Sequence, residues 1–178
     1  MMRMTLFMGQ WMTRKASIFF RQAQWLTALT LGLSHGTNDA QKTMGIIAMG
    51  LVAFGILPKF TVPIWVIAAS ALAIALGSFS GGWRLIRTMG YSFFRIRATH
   101  ALSSQIASTI VILGAALLGG PVSTTQVISS SIVGTGAAER VHKVRWGVAS
   151  NILLAWILTI PSTGLLGALV YFILSKFI

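Results

Sequence analysis

The sequence predicts an all-α, polytopic helical membrane protein with one broken helix and one helical hairpin. Three features predict it: charge is scarce, apolar runs are long, and the basic residues lie in short clusters between those runs. Only 9% of the 178 residues are charged and 55% are hydrophobic, against about 25% charged in ordinary soluble domains. So few charges cannot cover the surface of a soluble fold of this size. A helical pass takes ~20 apolar residues, each rising 1.5 Å. Stretches free of Asp, Glu, Lys and Arg run over 22–38, 43–58, 60–83, 98–138 and 146–175.

Each stretch predicts an element. The first two are separated only by Asp39 and Lys42 and read as one long apolar segment, broken at Gly36-Thr37-Asn38-Asp39-Ala40-Gln41-Lys42. The third is a plain pass, with Pro63 near its start, where a missing N–H costs least. The fourth is too long for one pass, because about 41 helical residues would extend roughly 60 Å. Gly119-Gly120-Pro121 divides it into two arms, 101–118 and 122–137, that form a hairpin, either crossing the bilayer fully or turning back inside it. In the last stretch Pro161-Ser162-Thr163-Gly164 predicts a kink or a break.

The connecting segments carry the charge. Arg14, Lys15 and Arg21 precede the first apolar segment. A linker over 81–97 holds Arg84, Arg87, Arg95 and Arg97, and one over 139–145 holds Arg140, Lys143 and Arg145. The loop near Pro58 holds only Lys59. Basic residues favour the cytoplasmic face. All three clusters fall on that face if one crossing precedes the Pro58 loop, one follows it, and the hairpin returns to its starting side. The C-terminus then lies outside. The expected organisation is a basic N-terminal segment over 1–20 followed by a transmembrane domain over 21–178.

The same pattern excludes other classes. A formal net charge of +12 would suit nucleic acid if it formed one basic face. Here the clusters alternate with apolar runs, which suits lipid headgroups of a bilayer instead. The chain has no Cys, and His35, His100 and His142 lack metal-ligand spacing. No catalytic triad, phosphate-binding glycine loop or metal motif is present, so no enzyme and no cofactor are expected.

Two polar sites interrupt the apolar runs. Asp39 is one of only two acidic residues, with Glu139, and an ionisable group at membrane depth needs a partner or a cavity. One reading makes Asp39 and Lys42 an i, i+3 pair capping a helix break. The other makes the break line an ion or substrate site, with Asn38 or Asp39 capping the following half-helix. His35 lies four residues from Asp39, but a break at Gly36 would separate them. The second site, Pro121-Val122-Ser123-Thr124-Thr125-Gln126, joins a tight turn to a helix start. Ser123 or Thr124 can cap there, and the first-turn N–H groups point along the positive end of the helix dipole. Hydroxyls, an amide and free N–H groups make a neutral oxyanion cradle, or they simply satisfy the backbone at a hairpin tip. Ser129-Ser130-Ser131 suit close helix packing.

At these sites the sequence resembles the inorganic phosphate transporter (PiT) family. The resemblance rests on SHGTNDAQKTMGIIA at 34–48, GGWRLIRTMG at 81–90, GGPVSTTQVISSSIVGTGAAER at 119–140 and VRWGVASNILLAWILTIP at 144–161. It implies uptake of inorganic phosphate coupled to sodium or protons, with Asn38, Asp39, Ser123, Thr124 and Thr125 contacting phosphate or the coupling cation. Gln126 stands where the family often has His and is kept in the phosphate set. Gln105 stands where the family often has Glu and joins Asn38 and Asp39 as an expected coupling-ion ligand. No metal beyond that sodium ion is implied.

Family members carry two related halves of opposite orientation, each with both signatures. Here each signature occurs once, so the chain resembles the C-terminal half, one repeat of an inverted-repeat transporter, with residues 1–20 in the place of the central linker. The expected partner is a separately encoded N-terminal half or an oligomeric partner, in a bacterial inner membrane. The alternatives are a truncated or accessory membrane subunit without transport, and transport of a related oxyanion such as sulfate.

Overall fold

The computed structural model describes residues 15–91 and 96–176. Among them are five α-helices and no strand: α1 (Lys15–Ala53), α2 (Ile64–Tyr91), α3 (Ala98–Leu117), α4 (Thr124–Glu139) and α5 (Trp146–Leu174), with a 3-10 turn over Val141–Lys143. The basic segment expected over 1–20 falls mostly outside the described residues, as does Arg95. The chain divides into two compact units, Met1–Val144 and Arg145–Ile178.

Among the described residues, three helical segments are long and apolar enough to cross a membrane: Ile64–Trp83 within α2, Ala98–Leu117 and Trp146–Leu174. With its apolar surface outward, this is an integral membrane protein. Phe79 is 91% exposed and Ile64 84%, as expected of side chains that meet lipid. The interior is built from small and polar residues. Ser70, Ser103, Ser108 and Ser129 are fully buried beside Ala48, Val66 and Ile112, the composition that lets membrane helices approach closely. Ser129 uses its hydroxyl on the Thr125 carbonyl at 2.7 Å.

The expected break in the first apolar segment is absent: α1 runs unbroken for 39 residues, about 58 Å. Gly36 does not have a positive φ, so it serves only as a poor helix former. Around it, the hydroxyls of Ser34, Thr37 and Thr43 donate to the carbonyls of Thr30, Leu33 and Asp39, one turn back. The residues expected to cap a half-helix spend their side chains sideways on α3–α4 rather than on their own backbone, so they do not compete with the helix. The linker expected over 81–97 is also helical as far as Tyr91, because α2 continues through Gly81-Gly82.

The helical hairpin forms as the sequence predicts. Both α1 and α3 end on a glycine with positive φ, Gly55 at +71° and Gly119 at +73°. In each, the glycine N–H and the next N–H reach back to the last turn: Gly119 to Ala116 at 3.2 Å and Gly120 to Ala115 at 2.8 Å. This is the Schellman closure, which satisfies helix-end carbonyls and needs a residue at ease with positive φ. Pro121 and Val122 then carry the chain to Ser123, whose hydroxyl accepts from the Gln126 N–H at 3.4 Å and caps α4. At 16 residues, α4 extends about 24 Å, short of the ~30 Å hydrocarbon core.

The hairpin's base is pinned by polar groups. His100, 2% exposed, accepts the Arg97 backbone N–H on Nδ1 at 3.0 Å. Its proton therefore sits on Nε2, which faces Glu139 Oε2 at 2.9 Å. The Arg97 guanidinium adds a looser contact to Glu139 at 3.9 Å. Alongside, α1 packs on α3: Phe20 buries against Leu102, the Gln24 amide donates to the Ala98 carbonyl at 3.2 Å, and Thr27 donates to Gln105 Oε1.

In the second unit, α5 is continuous through Pro161, so the expected break does not occur there. Just after the proline, Ser162 donates its hydroxyl to the Leu158 carbonyl, and Thr163 to those of Thr159 and Ile160. These bonds follow the helix ladder and do not reach the Ile157 carbonyl that Pro161 leaves without its N–H.

Candidate functional site

The two polar motifs, more than 80 residues apart in the chain, meet where the hairpin tip touches the middle of α1. The Asn38 side chain, 2% exposed, donates to the Val122 carbonyl at 2.9 Å and to Asp39 Oδ1 at 3.3 Å. The Lys42 ammonium reaches Asp39 Oδ1 at 3.0 Å and also donates to the Val122 carbonyl. Thr124, 3% exposed, donates its hydroxyl to Asp39 Oδ2 at 3.2 Å. These positions follow from helix geometry, because residues 35, 38, 39 and 42 fall on one face of an unbroken helix. That face also carries His35, whose Nε2 stands 3.6 Å from Asp39 Oδ2, and whose Nδ1 is buried with no hydrogen-bond partner among the described residues. The expected separation of His35 from Asp39 therefore does not occur, because it depended on a break that α1 lacks.

Of the expected site residues, Asn38, Asp39 and Thr124 are in direct contact. Ser123 is beside them as the exposed cap, Thr125 follows half-buried, and Gln126 is exposed one turn into α4. The first-turn N–H groups of α4 have no intrahelical partners and carry the positive end of its dipole. Beside the polar cluster lies a cleft of about 370 Å³, walled by Asn38, Gln41 and Lys42 on α1 and by Gly119, Gly120 and Pro121 on the hairpin. That volume is within the range of small-ligand sites.

Gln105 is not part of this cluster. It accepts from Thr27, and Thr27 lies 12 residues before Asp39, about 18 Å along α1. Gln105 instead lines a second cleft of about 250 Å³ with Ser104, Ser108, Leu31 and Ile128. The Val122 carbonyl was not singled out from sequence, because it carries no side-chain signal. Lys42, expected in one reading to pair with Asp39, does so and also reaches the Val122 carbonyl.

A carboxylate, an ammonium, a buried carboxamide and a helix start gathered against a cleft in a helical membrane protein make a site able to hold a small polar solute. Residues 6–167 match the model of the phosphate transporter family, and the chain belongs to that family. It is 46% identical over 154 residues to a probable low-affinity inorganic phosphate transporter of Rhizobium meliloti, covering 86% of this chain and 46% of the relative. It is 45% identical over 157 residues to the probable low-affinity inorganic phosphate transporter of Bacillus subtilis, covering 88% and 47%. A putative phosphate permease of Pyrococcus abyssi is 30% identical over 166 residues, covering 89% and 40%. The chain thus spans about half the length of the curated relatives it matches. No solved structure matches it.

Proposed function

We propose that this chain provides one half of a cation-coupled carrier of inorganic phosphate in a bacterial inner membrane, acting by transport and not by catalysis. The observation that carries the reading is the docking of the hairpin tip on α1. It sets the oxyanion-binding elements, Ser123, Thr124, Thr125, Gln126 and the α4 N–H groups, beside Asn38, Asp39 and Lys42. Hydroxyl and N–H donors suit a tetrahedral oxyanion, and the cluster's ion pair spares it the repulsion of a bare carboxylate.

The site is one-sided. Gln41, Ser123 and Gln126 are exposed around it, and polar groups at membrane depth need protein or water to cover them. A companion half meets that need, as in carriers whose site lies between two repeats. An antiparallel pair of identical chains is the less favoured arrangement, because the basic clusters fall on one face and give a strong orientation bias.

The test is uptake of radiolabelled phosphate by proteoliposomes holding this chain alone, or with an N-terminal half. Uptake that requires both halves and is lost in Asp39→Asn is the expected result. Competition by excess sulfate tells a phosphate carrier from a general oxyanion carrier. No uptake in either preparation would leave the accessory-subunit reading.

A further inference from the structure

The cluster at Asp39 has an unusual property for a cation site: both carboxylate oxygens and the neighbouring Val122 carbonyl already face donors on the protein. Asp39 Oδ1 receives the Lys42 ammonium at 3.0 Å and the Asn38 amide at 3.3 Å. Asp39 Oδ2 receives the Thr124 hydroxyl at 3.2 Å and faces His35 Nε2 at 3.6 Å. The Val122 carbonyl receives both Lys42 and Asn38. Asn38 turns its NH₂ toward these oxygens, so it acts there as a donor and not as an oxygen ligand. Sodium sites in carriers with broken helices use backbone carbonyls freed where the helix unwinds. Because α1 is continuous through this region, its carbonyls remain in the helix ladder. The residues present therefore do not fit a sodium ion.

We propose that Lys42 is the resident cation of this site: its ammonium holds the place between Asp39 and the Val122 carbonyl that a sodium ion would require, so oxyanion binding at the α4 start is sodium-independent. A tethered ammonium neutralises the carboxylate permanently, and an arriving oxyanion meets a neutral pair and a helix N-terminus instead of a bare negative charge. The pair is reachable, with about a third of each side chain exposed (33% for Lys42 and 32% for Asp39). A driving cation then binds elsewhere, or enters the cluster as a proton, which leaves Lys42 in place.

The inference rests on the transport reading for its phosphate arm only, and the experiment separates the two. Binding of ²²Na⁺ to the purified chain is measured by scintillation proximity, for the unaltered chain, Lys42→Ala, Lys42→Arg and Asp39→Asn/Lys42→Ala. The unaltered chain and Lys42→Arg are expected to show no saturable binding in the millimolar range. Lys42→Ala, with a bare carboxylate, is expected to bind sodium at least about ten-fold more tightly, and the double change to lose it. In parallel, ³²P-phosphate binding is compared in sodium and choline media and is expected to agree within about two-fold for the unaltered chain. Saturable sodium binding by the unaltered chain, or phosphate binding that requires sodium, overturns the proposal. So does a folded Lys42→Ala chain that binds sodium no better than the original. Absence of phosphate binding in both media, by the chain alone and by the chain assembled with an N-terminal half, refutes the transport reading instead, and the sodium measurements still decide the role of Lys42.

Discussion

Replacing Asn38 by Asp tests whether the hairpin tip is held by a donor. The change is nearly isosteric but substitutes an acceptor for the NH₂ group. In the native structure that group donates to the Val122 carbonyl at 2.9 Å and to Asp39 Oδ1 at 3.3 Å. Losing two hydrogen bonds costs about 2 kcal/mol at ~1 kcal/mol each. A second carboxylate 3.3 Å from Asp39 adds about 5 kcal/mol of raw repulsion at an effective dielectric constant of about 20. Lys42, already on Asp39 and Val122, offsets part of this, leaving a net destabilisation of about 4 kcal/mol at neutral pH, against about 2 kcal/mol for Asn38→Ala. For a chain of this size that is a fall in melting temperature of roughly 8–16 °C. Protonating the introduced carboxyl removes the repulsion and restores a donor, so acidification should relieve the penalty. The chain has no native Cys, so spin labels at Gln41 and Leu118 report docking directly. Their distance distribution should broaden in Asn38→Asp at neutral pH and sharpen on acidification. An Asn38→Asp chain that melts with the original and keeps a narrow distance at every pH would refute the role assigned to the amide.

Other perturbations have definite expected outcomes. At the hairpin base, Glu139→Ala removes the carboxylate that His100 Nε2 faces at 2.9 Å and should cost about 1–3 kcal/mol. A double-mutant cycle with His100→Leu should show coupling of about 1 kcal/mol or more, while Arg97→Ala, whose side chain is 71% exposed at 3.9 Å from Glu139, should change little. Gly119→Ala forces an L side chain to a φ of +73° and should lower stability by about 1 kcal/mol. Gly120→Ala should be milder, because an added Cβ would meet only the Ala115 carbonyl at an ordinary 3.6 Å. Thr124→Val keeps the shape of a buried side chain but removes the donor to Asp39 Oδ2. It should cost about 1–2 kcal/mol in thermal unfolding and weaken phosphate binding, whereas Thr124→Ser should retain most of both.

What the sequence made legible depended on backbone chemistry that few residues can supply. Gly119-Gly120-Pro121 announced a chain reversal because only glycine closes a Schellman turn at positive φ and proline cannot continue the preceding helix. Charge depletion announced the membrane, because a bilayer removes the need for a charged surface. The pairing of His100 with Glu139 was present in the sequence but unread: each lies 19 residues from the nearer glycine of the Gly119-Gly120 turn. An antiparallel hairpin brings such positions to the same level, and an acidic residue in a chain with only two is a candidate for whatever stands opposite.

The error about α1 has a physical lesson for the site itself. Glycine at 36 costs a helix about 1 kcal/mol, and Asn, Asp, Ser and Thr favour caps when their side chains are free to bond their own backbone. Those preferences are small against tertiary contacts. Asn38, Asp39 and Lys42 together spend their polar atoms on Val122, Thr124 and one another, and the hydroxyls of Ser34, Thr37 and Thr43 follow the helix ladder. Local propensity could not reveal this, because the partners lie some 80 residues away. An unbroken α1 also changes what the site can do. A broken helix offers freed carbonyls and invites a metal cation. A continuous helix offers only side chains, and here they carry their own cation. The same lateral contacts that keep α1 whole are therefore the ones that leave Lys42, and not sodium, on Asp39.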